Sequence, residues 1–289
     1  MMENTVVAAP TSLKVKKGAF KTIQFLYVAI IVILLYLPVI FIIIESFNDS
    51  VSNYGFGNFT FEWYKKMFYN ADLKEAVATT FSITALSTLI STVLGTMFAI
   101  GINSLSKQNR KIFIMLNNIP ILNADIVSAI FLFIIFKTVG SLLNIKMPLG
   151  YVTLLLSHIF FSLPYVVLSV LPKLKEIDEN LFDAALDLGC KPRKALRKVI
   201  IPAIMGGIFS GAVLAFTMSI DDFTISYFVK GAEITNLSTW INSIRTVRYG
   251  KLQIASAFYS IFTIVAFIIL IGYNLLTEQK RERRERKVR

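Results

Sequence analysis

Apolar runs of about twenty residues recur along this 289-residue chain, and they constrain its fold more than any other feature. A run of that length is what an α-helix needs to cross the hydrocarbon core of a membrane. Hydrophobic residues make up 55% of the chain, above the roughly 45–50% that is usual in soluble domains. The mean hydropathy is +0.65. The sequence therefore predicts an all-α, polytopic membrane protein.

Six transmembrane helices are expected from a window of about nineteen residues. They cover residues 23 to 44, 76 to 101, 112 to 136, 150 to 171, 199 to 220 and 254 to 276. This divides the chain into a basic N-terminus (1–22), a six-span domain (23–276) and a basic tail (277–289). The second span is rich in Ser and Thr, which favours packing against other helices over lipid contact. The third is interrupted by "NNIPILNAD", which predicts a break at membrane depth.

Lysine and arginine indicate the orientation of the spans. If both termini are cytoplasmic, 21 of the 30 Lys and Arg residues lie on the cytoplasmic side, as the positive-inside rule requires. The net charge of +12 is concentrated beside the spans. We therefore expect the lipid bilayer, and not nucleic acid, to be the partner of these charges.

Residues for covalent or metal chemistry are scarce. Cys190 is the single cysteine and His158 the single histidine, so neither a disulfide framework nor a metal site is expected. A hydrogen bond between helices is a better expectation for His158 than a ligand role. The sequence contains no G-x-x-x-x-G-K-[ST] motif, so nucleotide binding through a P-loop is excluded. We expect no catalytic residues and no cofactor in this chain.

One long stretch between the fourth and fifth spans, about 173–198, is amphipathic and too polar to cross a membrane. Its apolar residues recur every three or four positions and predict a helix from Lys173 to Gly189 with one apolar stripe: Leu174, Ile177, Leu181, Ala185 and Leu188. Asp178 is a candidate N-cap, Gly189 a candidate left-handed C-terminal cap, and Pro192 a candidate start of a second short helix. Such a helix can lie in the lipid headgroup layer or dock onto another protein.

The segment "DAALDLGCKPRKALRKVIIP", residues 183 to 202, resembles the EAA motif of ABC importer permeases, which reads EAA, three residues, G, nine residues, I-x-L-P. Five residues match that spacing in identity or type: Asp183, Ala184, Ala185, Gly189 and Pro202. Asp183, Val199 and Ile201 stand where the consensus has Glu, Ile and Leu. The resemblance implies that this loop couples the chain to a separate ATP-hydrolysing subunit, which binds the Mg-ATP.

Four further segments resemble PotC-type permeases of spermidine/putrescine importers: "YLPVIFIIIESFN", "NADIVSAIFLFIIF", "SHIFFSLPYVVLSVLPKLKEID" and "LAFTMSIDDFTISYFVKG". The resemblance covers about residues 35 to 275. It implies a type I ABC importer permease fold in a bacterial cell membrane, forming half of a polyamine pathway. The implied partners are an ATP-binding subunit in two copies, a second permease subunit and an extracytoplasmic polyamine-binding protein. A permease for another small solute and a stand-alone secondary transporter are the alternatives.

Three carboxylates near membrane depth, Asp125, Asp221 and Asp222, require an explanation because a charge in a span costs a few kcal/mol. Polyamines are linear cations, so carboxylates beside aromatic rings would suit them. These residues are therefore candidates for the substrate pathway. Alternatively, Asp125 caps the helix that resumes after the break, and the Asp221 and Asp222 pair caps a broken helix or pairs with Arg245 or Arg248.

Two aromatic segments outside the spans suggest helices that lie on the membrane surface. They are "FTFEWYKKMF", which contains Trp63 and Tyr64, and "NLSTWINSIRTVRYG", which contains Trp240. Tryptophan and tyrosine favour the membrane interface because their rings are apolar while one edge is polar. The first outer loop, residues 45 to 75, is also long enough to contact a soluble binding protein.

Overall fold

The computed structural model describes residues 13–50, 55–142, 149–178, 180–244 and 251–288, and within these ranges the regular elements are helices. Asn48 and Phe59 form an isolated antiparallel bridge. The helices are α1 (Leu13–Glu45), α2 (Glu62–Tyr69), α3 (Ala71–Asn103), α4 (Lys107–Leu122), α5 (Asp125–Leu142), α6 (Tyr151–Lys175) and α7 (Asn180–Asp187). They continue with α8 (Pro192–Ala195), a π-helical turn (Leu196–Ile200), α9 (Ile201–Ala203), α10 (Met205–Ile220), α11 (Thr224–Val229), α12 (Leu237–Ile244) and α13 (Lys251–Val288).

Among the described residues, five helices are long and apolar enough to cross a membrane. A sixth span results if the bent pair Pro192–Ala203 and Met205–Ile220 is counted as one. The polytopic, helical fold class is therefore confirmed. The predicted third span, 112 to 136, is wrong in its boundaries: α4 ends at Leu122, and the span is α5, Asp125–Leu142.

The predicted break occurs within the segment "NNIPILNAD", at Asn123 and Ala124, between the end of α4 and the start of α5. Pro120 lies inside the last turn of α4, and the helix continues two residues beyond it. Proline disturbs a helix by removing one N–H and by crowding the carbonyl four residues earlier, and both effects act on the preceding turn. The chain leaves the helix at Asn123, whose backbone is extended (φ −76°, ψ 148°).

The chain divides into two compact units, Met1–Tyr69 with Val247–Arg289, and Asn70–Thr246. In the first unit, α13 packs against α1 and α2. The α1 segment Lys21–Glu45 has a mean hydropathy of 3.1 over its most apolar window, and none of that window is buried within the chain. A helix that is apolar all round and exposed is suited to lipid. The N-terminal residues 1–12 of the predicted basic segment lie outside the described residues.

A buried asparagine organises the loop that follows α1. The Asn48 side chain accepts hydrogen bonds from the backbone N–H groups of Ser50 (3.0 Å) and Gly57 (2.8 Å) and donates to the Glu45 carboxylate. The Trp63 indole donates to the Asn48 carbonyl at 2.7 Å. Trp63 is only 6% exposed, so its ring packs within the fold, and the membrane-surface location of α2 stays a prediction.

Trp240 in α12 is also buried within the fold, at 4% exposure, and the membrane-surface location of its segment likewise stays a prediction. Residues 245–250 of that aromatic segment lie outside the described residues. Sequence reasoning missed these contacts because an amphipathic aromatic helix has the same pattern whether its apolar face meets lipid or protein.

The second unit is built on a close-packed trio of helices, α3, α6 and α10. Three glycines permit the approach: Gly95 in α3, and Gly207 and Gly211 in α10. A methyl group on Gly95 would lie 2.8 Å from Val166 Cβ in α6, and one on Gly211 would lie 3.1 Å from Val166 Cα. The four-residue spacing of Gly207 and Gly211 is the small-residue pattern that brings membrane helices into backbone contact.

The polar residues of α3 face this interface, as the sequence predicts. Thr80, Thr84, Ser87 and Ser91 are buried. The hydroxyls of Ser87 and Ser219 lie 2.9 Å apart, and Ser91 donates to the Ile159 carbonyl at 3.3 Å. Hydroxyls that bond between helices avoid the cost of an unpaired polar group in an apolar environment.

Candidate functional site

The loop between α6 and α10 folds as two short helices joined at a glycine corner. Gly189 has φ +80°, in the left-handed region that favours glycine. Its N–H donates to the Leu186 carbonyl (2.8 Å) and the Cys190 N–H donates to the Ala185 carbonyl (3.1 Å). This pair of bonds is a Schellman motif, which satisfies the carbonyls at the end of α7. The predicted glycine cap is confirmed, and so is Pro192 in the first turn of α8.

The predicted continuous helix from Lys173 to Gly189 is wrong. The last turn of α6 ends at Lys175, and α7 begins only at Asn180. Asp178 lies between them, and its carboxylate accepts a hydrogen bond from the Asn180 N–H at 2.9 Å. An aspartate that bonds the backbone two residues ahead favours a turn over a continued helix.

The apolar stripe of this loop is divided between two faces. Leu174 is part of a buried cluster with Val170, Ile200 and Ile204, and the partly buried Ile177 packs against that cluster. Ala185 is also buried, at 8% exposure. The stripe was expected to supply one contact surface for a partner, which is wrong for these residues because they face the chain's own core. Leu181 and Leu188 remain exposed, and Leu188 is 86% exposed.

The exposed face of α7 carries the first two residues of the EAA-like motif, Asp183 and Ala184. Pro202, the last residue of the motif, is exposed in the first turn of α9. Between them, the chain passes through the π-helical turn Leu196–Ile200. It then bends by 70° at Ile204 into α10. Single π-helical turns within helices occur frequently at functional positions.

The structure gives Asp221 and Asp222 different environments. Asp222 precedes α11, and its carboxylate accepts hydrogen bonds from the backbone N–H groups of Ile225 (3.2 Å) and Ser226 (2.8 Å). It therefore caps α11, one of the alternatives that the sequence allows. Asp221 follows α10, and its side chain is exposed. A negative charge is unfavourable at the C-terminal end of a helix dipole, so capping does not explain Asp221.

Asp125 is the first residue of α5, directly after the extended Asn123. It is exposed, and the Tyr165 phenol of α6 lies within electrostatic range of its carboxylate. A carboxylate in the first turn is favoured by the positive end of the helix dipole, so the capping alternative and a pathway role are both compatible with this position. Arg245 and Arg248, the proposed partners of the aspartate pair, lie outside the described residues.

A buried polar network connects α6, α10 and α11 around His158. Its Nδ1 lies 2.7 Å from the Ser219 hydroxyl and its Nε2 lies 3.1 Å from the Ser226 hydroxyl. Ser226 donates to the Asp222 carboxylate (2.8 Å) and accepts from the Asn236 amide (2.9 Å). The Ser226 proton is thus used, so the His158 Nε2–H donates to the Ser226 hydroxyl.

The expectation of an interhelical hydrogen bond for His158 is confirmed. Sequence reasoning did not identify its partners, because serines and asparagines in apolar segments have no distinguishing pattern. No group of three or more His, Cys, Asp or Glu side chains suited to a metal ion occurs in the described part of the chain.

Comparison with known families decides the class of the chain. Residues 91–283 match the model of the binding-protein-dependent transport system inner membrane component. The chain belongs to this family. The matched region of the transport component contains Asp125, Asp221, Asp222 and the whole EAA-like loop. Membership establishes a multi-pass transport subunit of the membrane.

Relatives of this transport component are similar over nearly their whole length. The chain is 31% identical over 264 residues to the spermidine/putrescine transport system permease protein PotC of Escherichia coli K12, covering 91% of this chain and 94% of the relative. It is 28% identical to the putrescine transport system permease protein PotI of the same strain, covering 86% and 89%. A PotC homologue of Mycoplasma genitalium is also 28% identical, covering 94% and 96%.

Solved structures support the same fold. A bacterial ABC transporter that imports the acidic polysaccharide alginate contains a chain with a TM-score of 0.70 and 17% identity, covering 91% of this chain and 96% of that chain. The alginate transporter in complex with its alginate pentasaccharide-bound periplasmic protein gives a TM-score of 0.67 at 16% identity, covering 93% and 97%. At this identity the likeness concerns the fold, which is that of a type I ABC importer permease.

Proposed function

We propose that this chain is the permease subunit of an ABC importer for polyamines and forms half of the translocation pathway. The observation that carries the proposal is the 31% identity, over 91% of the chain, to a spermidine/putrescine permease. The exposed carboxylates Asp125 and Asp221 support a cationic substrate, because a desolvated ammonium group needs a negative partner. Asp222 holds α11 in place beside them, since its oxygens already accept three hydrogen bonds.

The proposed assembly contains an ATP-binding subunit in two copies, a second permease subunit and an extracytoplasmic polyamine-binding protein. Mg-ATP is bound and hydrolysed by the partner and not by this chain, whose sequence has no P-loop. A fold neighbour that was solved with its periplasmic protein supports the binding-protein partner. Both termini lie in the cytoplasm, on the side that carries most of the Lys and Arg residues.

The EAA-like loop is the proposed contact with the ATP-binding subunit. Leu188 supports this role, because a leucine that is 86% exposed at the end of a short, well-capped helix has no partner surface within the described fold. Asp183 and Ala184 lie on the exposed side of the same helix. Ala185, Gly189 and Pro202 shape the loop: Ala185 seats α7 on the core, Gly189 turns the corner, and Pro202 lies in the first turn of α9.

The coupling proposal is tested by purifying tagged chain with its partners from mild detergent and measuring how much ATP-binding subunit is retained. Leu188→Glu and Ala184→Glu should each lose most of that subunit, because a charge in an apolar contact has to be desolvated. Leu188→Met is the matched control and should retain it. Full retention by both glutamate variants would disprove the contact.

The substrate proposal is tested by uptake of radiolabelled spermidine and putrescine into cells that express the complete transporter. Asp221→Asn should reduce uptake while membrane insertion and ATP-binding subunit retention are unchanged. If the wild-type transporter takes up neither polyamine but shows ATP-driven uptake of another solute, the proposed substrate is wrong. The proposed permease function would still stand. Polyamine flux by the chain alone in proteoliposomes would instead indicate a secondary transporter.

A further inference from the structure

A cavity of about 640 Å³ lies beneath the EAA-like loop, wholly within the unit Asn70–Thr246. It is half open and is bordered by the end of α3, the end of α6, α7 and α8, with Arg110 from α4 at one side. Most of its wall is apolar, including Leu174, Ile177, Phe182 and Leu196. The volume falls within the roughly 300–1,000 Å³ that is usual for small-molecule sites.

Half of the polar residues that line the cavity are cationic. Arg110, Lys175 and Arg193 line the cavity, and Asp178 is the one acidic residue among the lining side chains of the described chain. The Asp178 carboxylate already accepts hydrogen bonds from the backbone and side-chain nitrogens of Asn180, at 2.9 and 3.1 Å. The cavity therefore presents an excess of positive charge to anything that enters it.

Arg110 is held in place but incompletely bonded. Its Nη2 donates to the Asn103 carbonyl (2.5 Å) and to the Leu105 carbonyl (3.4 Å), which fixes the guanidinium at the end of α3. Its Nε is shielded from solvent and has no hydrogen-bond partner among the described residues. An unpaired buried donor on a charged group costs on the order of 1–3 kcal/mol or more. The Arg110 side chain also lines the cavity, so its guanidinium can form a charge-assisted interaction with a phosphate placed there.

The position of the cavity identifies the ligand class. Two candidate membrane-spanning helices, α3 and α6, end at its wall, and the ends of spanning helices generally lie in the headgroup region of the bilayer. An anionic headgroup matches the cations, and the first part of an acyl chain matches the apolar wall. Basic pockets between spanning helices at the cytoplasmic surface are general sites for acidic phospholipids. We infer that this cavity binds one anionic phospholipid through its phosphate.

The bound lipid links the loop to the spans. Its phosphate contacts Arg110, which is anchored to the end of α3, and Arg193, which is exposed on α8 of the loop. An occupied site therefore holds α8 against the spans, and an empty one leaves that connection to the apolar contacts alone. The inference goes beyond the proposed function, because it concerns neither the polyamine nor the ATP-binding subunit.

The test is native mass spectrometry of full-length chain released from bilayers of phosphatidylcholine with 20% phosphatidylglycerol, a fraction of roughly physiological order for an acidic lipid. Wild-type chain should retain one phosphatidylglycerol in preference to phosphatidylcholine. Arg193→Gln should reduce that retention about fivefold. One cation near an anionic lipid contributes roughly 1 kcal/mol of binding free energy, which corresponds to that factor. Arg110→Gln should reduce it at least as much, because it removes the guanidinium that is fixed at the end of α3.

Arg197→Gln is the matched control, since Arg197 is exposed four residues after Arg193 on the same loop and does not line the cavity. It should leave retention unchanged. Equal losses for Arg193→Gln and Arg197→Gln would mean general surface attraction and would overturn the inference. If inorganic phosphate displaces phosphatidylglycerol, and either ligand stabilises the chain to the same extent, the cavity is a phosphate-ion site. That result would overturn the lipid assignment.

Discussion

Replacing Gly95 by alanine should destabilise the helix trio α3, α6 and α10, although alanine is the better helix former. The added methyl carbon would lie 2.8 Å from Val166 Cβ and 2.9 Å from Val166 Cγ1. The optimum for two carbon atoms is about 3.5–4.0 Å. Val166 is fully buried and β-branched, so it has one preferred side-chain rotamer in a helix and no room to rotate away.

The expected cost follows from two opposing terms. Overpacking a close-packed interface by one methyl group costs about 1–3 kcal/mol. The higher helix propensity of alanine returns up to about 1 kcal/mol. Gly101 measures the second term alone, because it lies in the same helix and a methyl group there would meet nothing within 4 Å. The difference between Gly95→Ala and Gly101→Ala should therefore be about 1–3 kcal/mol.

The assay is the apparent midpoint of thermal unfolding in detergent, followed by loss of the monodisperse chromatographic peak. At about 2–4 °C per kcal/mol, Gly95→Ala should unfold several degrees below Gly101→Ala. In a Val166→Ala background the penalty should shrink, because the contact with Cγ1 disappears. If Gly95→Ala is as stable as Gly101→Ala, the helices are not in the close contact described and the reasoning fails.

Three further changes test separate parts of the fold. Gly189→Ala should lower the free energy of unfolding by about 1–2 kcal/mol because the φ of this residue is +80°. Gly206→Ala is the control and should lower it less in the same unfolding assay, because a methyl group there meets nothing within 4 Å. Asp222→Ala should lower stability by about 0.5–2 kcal/mol through loss of the α11 cap, and the neighbouring Asp221→Ala should leave stability within about 0.5 kcal/mol; equal effects would contradict the separate roles. Trp63→Phe should cost about 1–3 kcal/mol by leaving the buried Asn48 carbonyl unpaired, measured by the same midpoint, and an unchanged midpoint would mean that water replaces the indole.

Local signals in the sequence predicted the features that depend on neighbouring residues. The corner at Gly189 was predictable because a glycine after an amphipathic helix and a proline three residues later both restrict the backbone locally. The burial of the α3 hydroxyls was predictable because many of them lie on one apolar segment. Four of the spans were predictable from length and hydrophobicity alone; the third lies at other residues, and the fifth is a pair of helices bent by 70°.

Features set by tertiary contacts were not predictable. Ile177 and Leu188 are both apolar residues of one amphipathic stretch, yet the first packs on the core and the second is exposed. Only the position of α6 relative to α7 separates them. Asp221 and Asp222 are identical neighbours, and their roles differ because α10 ends before the first and α11 starts after the second. The sequence shows that the helix breaks there but not where each hydrogen bond goes.

The 70° bend at Ile204 joins the loop and α10 as the two arms of an angled lever. A displacement along the short arm, Pro192–Ala203, reaches the long arm mainly across its axis, because the two axes are far from parallel. The backbone contact at Gly211 prevents α10 from swinging without α6. A force on the loop would therefore move α6 and α10 sideways together in the membrane. It would not move either helix along its own axis.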